Sequence, residues 1–365
     1  MSPTAVPGQS LTIRRLKARA VKAPLARPIR TAAGALSAAA LVLIDVVTAE
    51  GVTGRAYIMG YSPATLVPLR AFLANIEDLL VGKTVAPRAR AEELARAFRL
   101  LGRQGLVGMA LSGLDMALWD ALGHAAGQPV AQLLGGASKP LKAYDSFGTV
   151  DLARDGAALE ASVGRGFRGI KIKLGDGDLA QDVQAVAGVR GIVGDQVALM
   201  VDYNQSLSVA EALGRIERLA EYNLYWVEEP VSAEDLAAHA QIRAASPTPI
   251  QAGENWWFPD GMARGIEAKS CDYAMPDLMR IGGITGWVEA VKLAEATSMP
   301  VSSHGFVEAS AHALAVTPTA HWLEYLDIAA AVLSEAVAVE DGHVTARGPG
   351  LGIVWDEAAV RRYLL

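Results

Sequence analysis

Three carboxylates, Asp202, Glu228 and Glu254, stand at equal intervals in the second half of the chain, each 26 residues beyond the last. Each falls at the end of a short apolar run: Val197–Tyr203, Leu224–Glu229 and Ile250–Glu254. Carboxylates that converge from adjacent strand ends repel one another unless a cation lies among them. An all-oxygen set without cysteine or histidine points to Mg²⁺, with Mn²⁺ as the alternative, rather than zinc. The competing reading pairs each acid with its own lysine at a strand rim. Lys171 and Lys173 alternate with Ile170 and Ile172, the period-two pattern of a strand, so their ammonium groups share one side. On an exposed edge such a pair merely guards against aggregation. On an inward face each disfavours the other's protonated form. His304 closes the run Val301–His304, and Asp277 closes Tyr273–Asp277 one repeat earlier. A carboxylate within reach of an imidazole orients the ring and raises its basicity. Alternation aims Glu229, next to Glu228, away from the trio.

These groups need a scaffold that brings strand ends together. Apolar strand candidates recur at 141–146, 169–174, 197–203, 224–229, 250–254, 273–277, 301–304 and 321–326, with helical patterns between most of them. Ser208 and Glu211 form a capping box ahead of one such helix. Eight strands alternating with helices are the signature of a (β/α)₈ TIM barrel, whose active site lies at the C-terminal strand ends. Those ends read Ser146, Lys171 with Lys173, Asp202 with Asn204, Glu228, Glu254, Asp277, His304 and Glu324. The expected fold is therefore α/β, with the barrel over 137–335. Residues 1–136 read as an α+β capping domain: a strand at 11–24, a hairpin pairing 41–48 with 52–59, and helices near 65–82, 89–103 and 106–126. Between the first strand and the hairpin, the small apolar stretch 28–36 (Ile29, Ala32, Ala33, Leu36) is a candidate lid, with Tyr61 nearby. Residues 336–365 are expected to pack back on the cap and complete it.

A hydrophobic content of 52% in 365 residues supplies a sizeable core. The net charge of −6, with no Lys/Arg run, argues against a nucleic-acid surface. Cys271 is the only cysteine, which excludes an intramolecular disulfide framework and suits a reducing compartment. Met1–Leu16 lacks the apolar core of a signal peptide, and Ala32–Val47 is broken by Gly34, Ser37 and Asp45. The long apolar helix at 106–126 carries Asp115 and Asp120, so it reads as buried rather than membrane-spanning. A soluble, cytoplasmic protein acting on a small molecule is expected, with no membrane partner.

The motifs Lys171-Ile-Lys173, Val201-Asp-Tyr-Asn-Gln205, Trp226-Val-Glu-Glu-Pro230, Gly253-Glu-Asn255, Met275-Pro-Asp277, Ser302-Ser-His304 and Trp322-Leu-Glu324 resemble the enolase superfamily, and within it the mandelate racemase group. The resemblance covers nearly the whole chain. It implies that Asp202, Glu228 and Glu254 bind Mg²⁺, and that Lys173 and His304 are bases on opposite faces of a carbon α to a carboxylate. Asp277 would tune His304, and Lys171 would lower the pKa of Lys173 and help to bind the carboxylate. A protonated Glu324 would donate to the developing oxyanion. Asn204 and Ser146 match supporting positions near the substrate, with Ile29 and Tyr61 over its side group. The implied activity is racemisation of mandelate or a related aryl 2-hydroxy acid, by a homo-oligomer. An acid-sugar dehydratase is the alternative, which a polar lid would favour. A dipeptide epimerase is disfavoured by Arg280 and the histidine dyad. A non-catalytic carboxylate-binding relative would be expected to lack Lys173, His304 or Glu324, and all three are present. Gly305, Phe147 and Arg280 depart from the group's pattern and bear on the pocket.

Overall fold

The computed structural model describes residues 10–31 and 34–365. Strands β1 (Ile13–Thr31), β2 (Gly34–Thr48) and β3 (Thr53–Met59) form an antiparallel sheet in the order β1-β2-β3. Helices α1 (Leu66–Asn75), α2 (Pro87–Ala97) and α3 (Gly105–Ala126) follow. Central β2 is buried almost continuously from Ala39 to Val46. Residues 28–31 and 34–36 of the expected lid loop are strand. Ile29 pairs with Leu36, Arg30 with Ala35 and Thr31 with Gly34, so these residues continue the β1–β2 pairing past a register shift between Pro24 and Ile29. Ala32 and Ala33 lie outside the described residues. Of the apolar residues expected there, Ile29 lies on the ribbon and packs against the core.

α3 is long and apolar enough to cross a membrane, yet two-thirds of its apolar window is buried within the protein. Its two acids tie three parts of the chain together. Asp115 accepts from the backbone N–H (2.9 Å) and hydroxyl (2.5 Å) of Thr285. Asp120 accepts from the N–H groups of Arg55 (2.7 Å) and Leu351 (2.6 Å). Burial pushes both carboxyls up to about 7, against those hydrogen bonds.

The second half is a curled parallel sheet of β4 (Pro140–Thr149), β5 (Gly169–Lys173), β6 (Ala198–Asp202), β7 (Leu224–Glu228), β8 (Ile250–Ala252), β9 (Tyr273–Ala274) and β10 (Leu323–Tyr325). The sheet order is β10-β4-β5-β6-β7-β8-β9, with helices between successive strands from β4 to β9. The strand expected at 301–304 is reduced to single parallel bridges, Ala274 with Val301, Asp277 with His304 and Val301 with Ala320. The capping box at Ser208 and Glu211 is present, and a second joins Asp178 to Gln181. In the tail, β11 (His343–Thr345) pairs antiparallel with β4 rather than with the cap. Further on, Trp355 Nε1 donates to Asp45 (2.7 Å), Glu357 pairs with Arg19 (2.7 Å), and Leu365 N–H donates to Ala20 (2.9 Å).

A floor of bulky side chains fills the sheet's interior beneath the strand ends. Tyr144, Met200, Trp226 and Trp322 form one buried cluster, with Tyr144 edge-on to Trp226 at 5.4 Å. Side chains two residues apart on a strand share a face. Ser146, Asp202, Glu228 and Glu324 therefore stand one layer above Tyr144, Met200, Trp226 and Trp322. Lys171 likewise stands above Gly169, where a Cβ would come within 2.8 Å of Tyr144 Cβ and 3.1 Å of Met200 and Trp322. The glycine leaves room for the aromatic floor. Gly169→Ala should destabilise the protein by about 1–3 kcal/mol through overpacking. Urea unfolding measures this, and an unchanged midpoint would show that the floor is loosely packed.

Candidate active site

Three strand ends and the turn after a fourth bring the charged groups together. Asp202 and Glu228 are the last residues of β6 and β7, paired in register, and Glu254 lies just beyond β8. Their nearest ligand oxygens lie within 4.8 Å of one another. Glu228 Oε1 accepts from Lys171 Nζ (2.6 Å), and its Oε2 accepts from Trp226 Nε1 (3.2 Å) and Gln251 Nε2 (3.1 Å). Lys171 is 1% exposed and also reaches Glu324 Oε1 at 2.8 Å and Asp202 at 3.8 Å. Lys173 donates to Asp202 Oδ2 (2.7 Å) and to Asn204 Oδ1. Asn204 returns its backbone N–H to Asp202 (2.7 Å).

Opposite the lysines, His304 Nδ1 meets Asp277 Oδ2 at 2.5 Å, and its Nε2 lies 3.2 Å from Glu254. Asp277 is fixed in turn by the N–H of Met279 (2.6 Å). Glu324 accepts from the N–H of Gly305 (2.9 Å). Gly305 has a φ of 53° with open space where a Cβ would project, so the pocket gains room beside His304 that a bulky residue would fill.

The balance of charge explains how these groups are held. Burial raises the Glu228 carboxyl, and Asp202, Glu254 and Glu324 raise it further against the pull of Lys171. Two buried ammonium groups therefore leave negative charge uncompensated in the trio, and its all-oxygen donors fit a hard divalent cation. Burial favours neutral Lys171, but Glu228 and Glu324 outweigh it and hold the ammonium well above its usual range. At Lys173 burial and Lys171 pull down, yet Asp202 prevails and the net direction is up. The expected depression of Lys173 by Lys171 is thus a real but losing contribution here. At His304 burial is overcome by Glu254, Asp277 and Glu324, which push the imidazolium up to about 10. Glu324 feels both cations. Burial favours its acid form, but Lys171 and His304 bring it down to about 2.

Residues 154–359 match the family described as Enolase C-terminal domain-like, and residues 13–135 match the Mandelate racemase / muconate lactonizing enzyme N-terminal domain. The chain belongs to the enolase superfamily. Among solved structures of that superfamily, an enolase from Bradyrhizobium complexed with magnesium and mandelic acid is 52% identical, with a TM-score of 0.96 over 98% of this chain and 99% of that one. The L-talarate/galactarate dehydratase of Salmonella typhimurium, liganded with Mg and L-lyxarohydroxamate, is 28% identical with a TM-score of 0.91, over 98% of this chain and 94% of that one. The 3,6-anhydro-alpha-L-galactonate cycloisomerase of Streptomyces coelicolor is 33% identical over 88% of this chain and 91% of its own length. Enolase superfamily neighbours thus carry Mg, and their reactions span more than one class.

Of the residues singled out in this superfamily member, Lys171, Lys173, Asp202, Asn204, Glu228, Glu254, Asp277, His304 and Glu324 form one connected cluster. Ser146 is buried on the strand face that holds the cluster, paired in register with Lys171. Ile29 lines a neighbouring cavity of about 490 Å³ between the hairpin tip and the ends of β4 and β10. Tyr61 stands at the rim, its ring 5.3 Å from the guanidinium of Arg280. Sequence reasoning left Glu229 outside the trio, where the structure also leaves it, and did not single out Arg27. Glu229 has a φ of 34°, which breaks the alternation, and its buried carboxylate sits beside the trio, accepting from Asn255 (2.7 Å). Arg27 reaches from the hairpin tip to Asp145 and the carbonyl of Ser146 (2.8 Å) and covers the Phe147 ring at 3.6 Å. Neither has a signature, since one depends on a single backbone angle and the other on the docking of two domains.

Proposed function

We propose that the protein is a Mg²⁺-dependent racemase of mandelate or a related aryl 2-hydroxy acid, acting by proton transfer at the carbon α to the carboxylate. The cap of residues 1–136, with the tail from 336, would close over a (β/α)₈ barrel of residues 137–335, in a homo-oligomer. The observation that carries the reading is the pair of bases on either side of the carboxylate trio: Lys173 against Asp202, and His304 against Glu254.

Asp202, Glu228 and Glu254 would hold the ion. Bound there, Mg²⁺ supplies Lewis-acid charge against the negative charge that develops on the substrate carboxylate. Lys173 Nζ and His304 Nε2 take and return the α-proton on opposite faces, which a 1,1-proton transfer requires and a β-elimination does not. Asp277, bonded to Nδ1, leaves Nε2 of His304 to face the reacting carbon. Lys171, locked between Glu228 and Glu324, offers fixed positive charge to the substrate carboxylate. That carboxylate brings a like charge towards Glu324, which favours the protonated form needed for donation to an oxyanion. The Bradyrhizobium structure with mandelic acid supports an aryl substrate. The dehydratase relatives favour the second reading, elimination of water from an acid sugar with the same His304–Asp277 pair.

The test is incubation with Mg²⁺ and each mandelate enantiomer in D₂O, with the α-proton followed by NMR. Exchange from both enantiomers is expected. No exchange from either, together with dehydration of galactarate, would replace racemase by dehydratase.

A further inference from the structure

The two residues after His304 adopt left-handed backbone, Gly305 at a φ of 53° and Phe306 at 47°. Glycine occupies that region freely, but a bulky residue does so only where its surroundings hold it there. This step matters to the site because it directs the Gly305 N–H to Glu324 Oε2 (2.9 Å), while Lys171 takes Oε1 (2.8 Å). Glu324 is thus held at both oxygens, one by a buried cation and the other by a bond whose direction depends on the backbone after the base.

The step is held from two sides. The helix Val307–Ala315 starts on it, and Ser310 closes back on it, its N–H donating to the Phe306 carbonyl (2.8 Å) and its hydroxyl to the Gly305 carbonyl (2.7 Å). From the other side comes Tyr57 on β3. Its ring packs against Phe306 with centroids 5.3 Å apart, and its hydroxyl donates to Glu308 Oε2 at 2.5 Å. Tyr57 therefore meets the first turn of the helix at two points, and both partners of the hydrogen bond are buried. Burial and the charge of Asp327 push the Glu308 carboxyl up to about 7, against the pull of the Tyr57 hydroxyl. An apolar side chain could pack there at lower cost. The acid fixes where the Tyr57 hydroxyl points.

We propose that Tyr57 and Glu308 are positioning residues: the first sheet, through this hydrogen bond and ring contact, sets the step after His304 and with it the orientation of Glu324. This rests on the reading of Glu324 as a group that meets the developing oxyanion, and deepens it. The sheet then contributes to the rate of the chemical step as well as to enclosing the substrate.

Y57F, which removes the hydroxyl and keeps the ring, tests the inference on the Mg²⁺-loaded protein. kcat should fall about 10–100-fold, the range for a misplaced reacting group, with KM and Mg²⁺ affinity changed less than about threefold. E308L should match it, and Y57F/E308L should be no worse than either single variant, since all three remove one bond. E308Q keeps an oxygen that accepts from Tyr57 and should restore most of what E308L loses. Hydrogen exchange read by mass spectrometry should be faster at residues 305–310 in Y57F and unchanged in the parallel sheet. A Y57F kcat within about threefold of wild type overturns the inference, whatever the variant's stability. So does a loss in which kcat, KM and Mg²⁺ affinity move together, or an E308Q that fails as badly as E308L; either would reduce the pair to a support for the fold. kcat is compared within whichever reaction the wild-type protein performs, mandelate racemisation or galactarate dehydration, so the racemase reading can fail and leave this inference standing. With neither reaction, unchanged exchange at 305–310 overturns it and faster exchange there supports it.

Discussion

His304→Asn should abolish deuterium uptake from one mandelate enantiomer while uptake from the other continues, and Lys173→Ala should do the opposite. Each loss should reach about 10²–10⁴-fold, the contribution of a positioned general base. Racemisation itself requires both groups, so both variants should be inactive as racemases, and only the isotope experiment separates them. The asymmetry follows from the distances. His304 is tethered to Asp277 at 2.5 Å and Lys173 to Asp202 at 2.7 Å, and no hydrogen bond connects the two bases. Asparagine keeps an amide near Asp277 but carries no basic nitrogen. Identical loss from both enantiomers in both variants would contradict a base on each face.

Glu228→Gln should weaken Mg²⁺ binding by about 100-fold or more, since even groups outside the ligand set change metal affinity about 10–100-fold. It should also lower stability, although the shape is unchanged. Glu228 accepts from Lys171 at one oxygen and from Trp226 and Gln251 at the other. A glutamine amide must turn its NH₂ towards one of these donors in either orientation, leaving a buried donor unmet at about 1–3 kcal/mol. Calorimetric Mg²⁺ titration and urea unfolding read the two effects. Unchanged metal affinity would remove Glu228 from the ligand set.

Much of the site was legible because it obeys strand geometry. Asp202 and Glu228 fall at the ends of β6 and β7 as the alternating runs imply, and the even spacing of the trio reflects one supersecondary unit per acid. What was not legible depends on features without periodicity. The strand expected at 301–304 dwindles to bridges, and Gly305 and Phe306 adopt left-handed backbone directly after His304. The hairpin tip was read as a lid because small apolar residues suit a loop and an extended ribbon equally well. The ionisation of Glu324 and Lys173 follows from which charge lies nearest, and this exists only after the strands assemble. Arg27 and Arg280 show the same limit, since each meets its aromatic ring only in the folded chain.

The bond from the Trp355 indole to Asp45 has a bearing on how the molecule is made. Its partners are 310 residues apart in the chain. At a synthesis rate of roughly 5–20 residues per second, the first sheet, whose Arg19 already pairs with Asp45, waits about 15–60 s for the indole that becomes the acid's second partner. During that interval Asp45 and the outer edge of β1 lack the tail, while the strands of the parallel sheet emerge in turn. The first sheet thus gains this partner only after the strands of the parallel sheet have been made.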